Sequence, residues 1–294
     1  MAQEIIQITL GSQHYPQLLA QIADPPKHLY CRGNLELLNG ECLGVVGTRK
    51  LTPYGKESAQ YITRGLAGAG FTIVSGLAMG IDAVAHQTTL DIGGKTIAVL
   101  GGGVSDFKIG PRINLPLAKK ILKNNGLLIS EYPDQEEIYA SNFAMRNRII
   151  SGLSKGVVIV EADRDSGSLI TAECALDQNR DVFAVPGNIF SSKSIGSNEL
   201  IKNGAKLVTS ARDITNEYGY NLNIFNKSGD NISTQNPIHK SILDILGDKG
   251  ESSADEIISH LTLTEISDIL SSLSVLEING LIKKSGGGKY SIQI

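Results

Sequence analysis

From Cys42 to Ile214 the sequence repeats one pattern: a short apolar run, a glycine-rich turn, then a stretch with helical periodicity. The runs occupy residues 43–46, 71–74, 96–100, 127–129, 157–160, 182–185 and 206–208. Most are apolar throughout rather than alternating, as in strands buried on both faces of a parallel sheet. The intervening stretches suit helices. In residues 53–69, for example, Thr52 can cap and Pro53 fits the first helical position. Alternating strands and helices predict an α/β fold with a doubly wound, mostly parallel, Rossmann-like sheet. Ligands of such sheets lie beyond the carboxyl ends of the strands, so the turns after the runs carry the functional question.

The flanks read differently. Residues 1–41 read as a helical lead-in packed on the core, broken at Asp24-Pro25-Pro26 before an edge strand at 28–31. The Rossmann-like domain then spans 42–216. Residues 217–235 are rich in Asn, Ser and Gly and read as a linker. In 236–294, helices are predicted at 238–246, 254–261 and 264–279, followed by a β-hairpin, which together make a small winged-helix domain. That stretch holds five lysines and no arginine against eight acids, a deficit equal to the chain's net charge of -3. Its third helix carries Glu265, Asp268 and Glu277 and no basic residue. A winged helix that reads duplex DNA needs basic residues there, so a protein contact or self-association is the favoured reading.

A slightly acidic chain does not advertise nucleic acid globally, so any anion-binding surface must be local. Cys31, Cys42 and Cys174 form no CxxC, which argues against zinc and a disulfide framework and fits a reducing cytoplasm. The start, Met1-Ala2-Gln3-Glu4, lacks the charged-then-apolar layout of a leader, and no apolar run is long enough to span a membrane.

Four turns fall where the sheet would place its ligand. In Gly47-Thr48-Arg49, a strand ending in glycine allows close backbone approach to an anion, with Arg49 just past the tip. An ordinary strand-to-helix turn with an exposed arginine is the alternative. Ser75-Gly76 opens a turn leading to Asp82 and His86, four residues apart on one helix face where they can pair. The three polar types mimic a hydrolase triad, but there is no G-x-S-x-G elbow and a helix-start network fits better. Gly101-Gly102-Gly103 lacks the G-x-G-x-x-G spacing of a dinucleotide site. Ser166-Gly167-Ser168, with Thr171 one turn on, can act as an anion nest or simply cap a helix. No P-loop motif and no metal-ligand spacing occur, so neither cofactor nor metal nor catalytic group is expected.

Residues 141–151 stand out for charge. Arg146 and Arg148 flank Asn147, and no carboxylate lies between Glu137 and Glu161 to neutralise them. Guanidinium groups grip phosphate through forked, charge-assisted bonds, and Phe143 offers a face for a base. Two solvated arginines at a helix start are the alternative. The segment precedes the run at 157–160, so Arg146 and Arg148 are expected to face the same crevice as Arg49.

Taken in order, the motifs resemble the DprA/Smf family of DNA-processing proteins. They are Asp24-Pro25-Pro26, Gly47-Thr48-Arg49, Ser75-Gly76-Leu77-Ala78-Met79-Gly80-Ile81-Asp82, Arg146-Asn147-Arg148, Ser166-Gly167-Ser168-Leu169-Ile170-Thr171, Val185-Pro186-Gly187-Asn188 and Gly196-Ser197-Asn198. The resemblance covers nearly the whole chain. It implies an extended Rossmann fold that binds and protects single-stranded DNA, dimerises, and loads the RecA recombinase during natural transformation, with no catalytic activity. It begins at the shared lead-in, and the further N-terminal helical domain of longer members is not expected. Two departures are visible. Ala144 stands where the family pattern has proline, which would loosen that loop, and Gly110-Pro111 replaces Tyr-Pro.

Two other readings remain open. The family's fold resembles that of nucleotide phosphoribohydrolases, and Ser166-Gly167-Ser168 through Glu173 is similar to their glycine-rich turn, without its paired glycines. A purely protein-binding scaffold, working through the acidic C-terminal domain, is the other.

Overall fold

The computed structural model describes residues 4–219, 236–261, 265–278, 281–285 and 288–292. The chain divides into two compact units, Met1–Leu222 and Asn223–Ile294.

Among the described residues of the first unit, nine strands form one sheet: β1 (Ile6–Thr9), β2 (His28–Gly33), β3 (Cys42–Val46), β4 (Thr72–Ser75), β5 (Thr96–Leu100), β6 (Leu127–Ser130), β7 (Gly156–Ile159), β8 (Asp181–Ala184) and β9 (Lys206–Leu207). Their spatial order is β1-β2-β6-β5-β4-β3-β7-β8-β9. From β6 to β9 every neighbouring pair is parallel. Every residue of β3, β4, β5, β6 and β7 is buried, as their continuous apolar runs require.

Among the described residues, nine helices accompany these strands: α1 (Gln17–Ala20), α2 (Pro53–Gly68), α3 (Ile81–Asp91), α4 (Leu115–Lys123), α5 (Ala140–Met145), α6 (Asn147–Leu153), α7 (Gly167–Asp177), α8 (Ile195–Lys202) and α9 (Ala211–Glu217). Two apolar layers sandwich the sheet. Leu19, Ile149, Ile150, Leu153, Ala172 and Ala175 of α1, α6 and α7 pack on one face. Ala59, Ile62, Leu66, Ile81, Ala85 and Ile214 of α2, α3 and α9 pack on the other. Helix α2 starts as its sequence dictates: Thr52 accepts from the Gly55 N–H, and Pro53 occupies the first turn.

The strand order contains one reversal. The chain lays down β3, β4, β5 and β6 in one direction, then returns to β3 and adds β7, β8 and β9 on its other side. The turns leaving β3 and β7 therefore diverge to opposite faces and leave a cleft at the carboxyl ends of the strands, where ligands of open α/β sheets bind.

The lead-in corrects the sequence reading. Instead of a helical segment, residues 6–33 contribute two antiparallel strands, β1 on β2 and β2 on β6. Only α1 and a short 3-10 turn at Leu35–Asn39 are helical. Nor is β2 the edge, because β1 covers it. In β1 only Ile8 is buried, so its pattern is too short and one-sided to announce a strand.

The second unit contains α10 (Pro237–Lys249), β10 (Ser252–Ser253), α11 (Ala254–His260), α12 (Ile266–Ile278), β11 (Ile282–Lys284) and β12 (Lys289–Ile292). Its strands form an antiparallel sheet in the order β10-β12-β11. Ile242, Leu246, Ile257, Ile269, Leu273 and Leu276 make a separate core. The expected linker falls, from residue 220 to 235, outside the described residues.

Gly33 ends β2 with φ +121°, and a Cβ there would overlap the Gly126 carbonyl oxygen. Gly33→Ala should therefore lower stability by about 2 kcal/mol, through backbone strain and a clash with rigid backbone. Urea unfolding checks this, and an unchanged midpoint would contradict it.

Candidate functional site

The cleft at the strand reversal is a cavity of about 500 Å³. One wall is Val46–Lys50, the turn after β3. The opposite wall comes from Asp163 to Thr171, the turn after β7 and the start of α7, and α5 with the start of α6 closes the top. Of the residues singled out from sequence, Gly47, Thr48, Arg49, Phe143, Arg146, Asn147, Ser166, Gly167, Ser168 and Thr171 line it. They come from three separate segments, brought together by the sheet topology.

Arg146 is the least expected of them. Its side chain does not reach into solvent, for the residue is only 3% exposed. Nη1 donates to the Val99 carbonyl at 2.7 Å, on the neighbouring β5, while Nε has no hydrogen-bond partner among the described residues. Burial pulls its pKa down to about 10; the nearby Asp82 carboxylate opposes that shift and the Arg49 charge adds to it. The group therefore stays cationic at neutral pH. A side chain at Gly76 would overlap the guanidinium, so glycine there is a steric requirement of the buried arginine.

Asp82 holds the facing turn. Its Oδ2 accepts from the N–H groups of Gly76 at 3.1 Å and Ala78 at 3.4 Å, across Leu77, whose φ is +55°. Burial raises its pKa, and Arg146 and the two N–H groups work against the rise. The expected pairing of Asp82 with His86 does not form. His86 shares a 2.7 Å hydrogen bond with Thr96 instead, and burial holds its pKa down at about 3. Ser75 donates to the Val45 carbonyl. Ser75 also hydrogen-bonds Asp82 through its side chain and His86 through its backbone, while His86 and Asp82 do not pair, so the three form a turn network without triad geometry.

Arg148 is a correction. Two positions beyond Arg146, it turns away from the cavity and is held by Glu131 at 2.8 and 3.0 Å and by Asp24 at 3.2 Å. Burial works against its charge, but these carboxylates outweigh that and keep its pKa above the ordinary arginine value. Gly101 and Gly102 also lie outside the lining. Side chains there would press on Phe143 and Ile138, so the bare glycines let this segment lie against the end of β5. The segment is helical through Ala144, not loosened.

Several lining residues carried no sequence signal. Lys50 and Lys193 are basic, and Asp163 and Asp165 are acidic. Lys193 pairs with Asp163 at 2.8 Å. With Arg146 offset by Asp82, Arg49 and Lys50 remain as exposed cations at the rim, in no ion pair among the described residues, and Asp165 also lines the cavity. Ser166 caps α7 through the Ser168 N–H, and the two hydroxyls lie 2.8 Å apart. Half-buried Phe143 separates the cleft from an apolar slot of about 140 Å³ lined by Met79, Gly110 and Pro111. Glu173 is exposed and does not line the cavity. Among the described residues no His, Cys, Asp and Glu cluster could hold a metal ion, and no helix is long and apolar enough to cross a membrane.

Residues 7–219 match the family model of DNA recombination-mediator protein A. The DNA processing protein DprA of Bacillus subtilis is 45% identical over 216 residues, covering 73% of this chain and 72% of that protein. Protein Smf of Escherichia coli is 39% identical over 286 residues, covering 96% of this chain and 76% of that protein. The crystal structure of Streptococcus pneumoniae DprA superposes with a TM-score of 0.69 at 42% identity, over 73% of this chain and 75% of that one. Helicobacter pylori DprA, solved for its mode of binding single-stranded DNA, gives 0.66 at 32% identity, over 75% of this chain and all of that one.

Two stability predictions separate the roles of these groups. Arg148→Ala should cost about 1–2 kcal/mol, because Glu131 loses its partner in a partly buried site, whereas exposed Arg49→Ala should cost less than about 0.5 kcal/mol. Equal costs in urea unfolding would contradict the placement. His86 has a folded pKa below its unfolded one, so its contribution is present above about pH 6.5 and is lost as pH falls toward about 3. The stability advantage of the wild type over His86→Gln should therefore shrink by on the order of 3 kcal/mol between pH 6.5 and 4. A pH-independent difference would contradict it.

Proposed function

Because the chain belongs to the DNA recombination-mediator protein A family, we propose that it binds single-stranded DNA in the cleft at the strand reversal, without catalysing a reaction on it. The observation that carries this is the pairing of a rim of uncompensated cations, Arg49 and Lys50, with the half-buried ring of Phe143 across one cavity. Phosphates would meet Arg49, Lys50 and the N–H and hydroxyl groups at Ser166–Ser168, while a base would lie against Phe143. Buried Arg146 serves as a fixed positive floor and orders the turn at Gly76–Ala78. The Helicobacter pylori relative, which binds single-stranded DNA, supports the same ligand for this chain. The reading extends to a cytoplasmic homodimer that protects incoming strands and delivers them to the RecA recombinase, as the family resemblance implies.

The phosphoribohydrolase-like alternative is not favoured. It assigns chemistry to Glu173, whose carboxylate lies off the cavity on an exposed face of α7.

For the second unit we propose a winged-helix fold whose partner is protein. Its α12 carries Asp268 and Glu277 and leaves Ile266 and Leu270 substantially exposed, a surface that repels phosphate and suits an apolar contact.

A salt titration of oligothymidylate binding tests the central reading. Affinity should fall with salt at roughly 0.7 log units per log unit for each phosphate neutralised. Arg49→Ala should weaken binding about tenfold and flatten that slope by roughly one phosphate, and Arg148→Ala should do neither. Unchanged affinity in Arg49→Ala would overturn the assignment.

A further inference from the structure

A second cavity of about 480 Å³ opens beside the cleft, at the carboxyl ends of β7 and β8. Its lining includes Thr52, Tyr54, Pro186, Gly187, Asn188 and Ser191. The two cavities share their bounding segments. Lys50 lines the first and Thr52 the second, and Lys193 lines the first while Ser191 and Ser194 line the second. The second cavity therefore adjoins the cleft along Lys50–Thr52 and Ser191–Lys193.

The rim of that cavity carries an unusual exposure. Ile189 and Phe190, between the lining residues Asn188 and Ser191, are 80% and 90% exposed. Tyr54, on the facing segment, is 48% exposed. An apolar tip this open on a floppy loop would mean little, but this loop is fastened at every step. Tyr54 donates its hydroxyl to the Pro186 carbonyl at 2.5 Å. Asn198 brackets Gly187, accepting from its N–H and donating to its carbonyl, both at 3.1 Å. Asn188 accepts from the Phe190 N–H at 2.9 Å, and the Ser191 N–H donates to the Asn188 carbonyl. Lys193 then ties the far side to Asp163 in the cleft wall.

The floor of this cavity rejects phosphate. Glu161 lines it, and both of its oxygens are taken by Thr52, from the N–H at 2.9 Å and the hydroxyl at 2.6 Å. A rigid, aromatic, uncharged rim over an acidic floor suits the flat face of a base and not the charged backbone.

Resting on the single-strand reading above, we infer that Phe190 and Tyr54 form a second base-binding subsite, which takes a nucleotide of the same strand after it leaves the cleft. The bound strand runs from Phe143 past Arg49 and Lys50 to Phe190, with its phosphates toward the lysine and arginine rim and its bases stacked at either end.

The chain contains no tryptophan, so Phe190→Trp installs a sole indole reporter on an exposed position. Oligothymidylates of about four and about twenty nucleotides separate the cleft from the longer path. Phe190→Ala should weaken binding of the longer strand about tenfold and leave the shorter one unchanged. In Phe190→Trp, the longer strand should quench the indole emission and the shorter should not. Arg49→Ala should weaken both, which certifies the cleft itself. If Arg49→Ala weakens both but Phe190→Ala spares the longer strand, the second subsite is refuted while the cleft stands. Equal losses on both lengths in Phe190→Ala would also refute it, because Phe190 would then act on the cleft. No effect of Arg49→Ala on either strand would refute both.

Discussion

Arg146 takes a positive charge into the interior, sets it against the Val99 carbonyl, and leaves the surrounding turns to accommodate it. A buried guanidinium is costly unless its charge is offset and its donors are used. Here the offset comes from Asp82, itself buried and satisfied by the N–H groups of the turn at Gly76–Ala78. Glycine at 76 makes room for the guanidinium, and Leu77 takes a left-handed backbone to present those N–H groups. The cation, the carboxylate and the turn therefore form one unit. It fixes α6 against β5 from below and sets the floor of the cleft from above.

This arrangement divides the labour among the three arginines that the sequence places at one crevice. Arg146 is structural charge inside the site. Arg148 clamps the lead-in to β6 through Asp24 and Glu131, and so joins the added antiparallel strands to the parallel core. Of the three, Arg49 is the one left exposed at the rim with no ion pair among the described residues, where a phosphate could exchange with water without breaking the fold.

The parallel sheet was legible because its strands are buried on both faces and so read as unbroken apolar runs. Strand β1 was not, since a four-residue edge strand with one buried side chain leaves almost no periodic signal. The cleft was legible through topology and charge: seven residues chosen at strand-end turns and three chosen in the arginine-bearing segment line one cavity where the strand order reverses. What could not be read was the fate of each charge. Arg148 looked unneutralised because its partners lie 17 and 124 residues away in sequence, beyond any local window. Lys193 and Asp163 escaped notice for the same reason, being ordinary surface residues until the fold sets them around a cavity. Gly101 and Gly102 invited a ligand reading, yet they serve the close approach of Phe143 and Ile138.

The central claim is that a single strand lies in the cleft with a base against Phe143. Photocrosslinking the full chain to an iodouracil-substituted oligothymidylate, followed by peptide mapping, tests it directly. Crosslinks in the peptide that contains Phe143 are predicted, lost when unmodified strand is added in excess. Crosslinks confined to residues 236–294, with none on α5 or the turn at Gly47–Arg49, would contradict it.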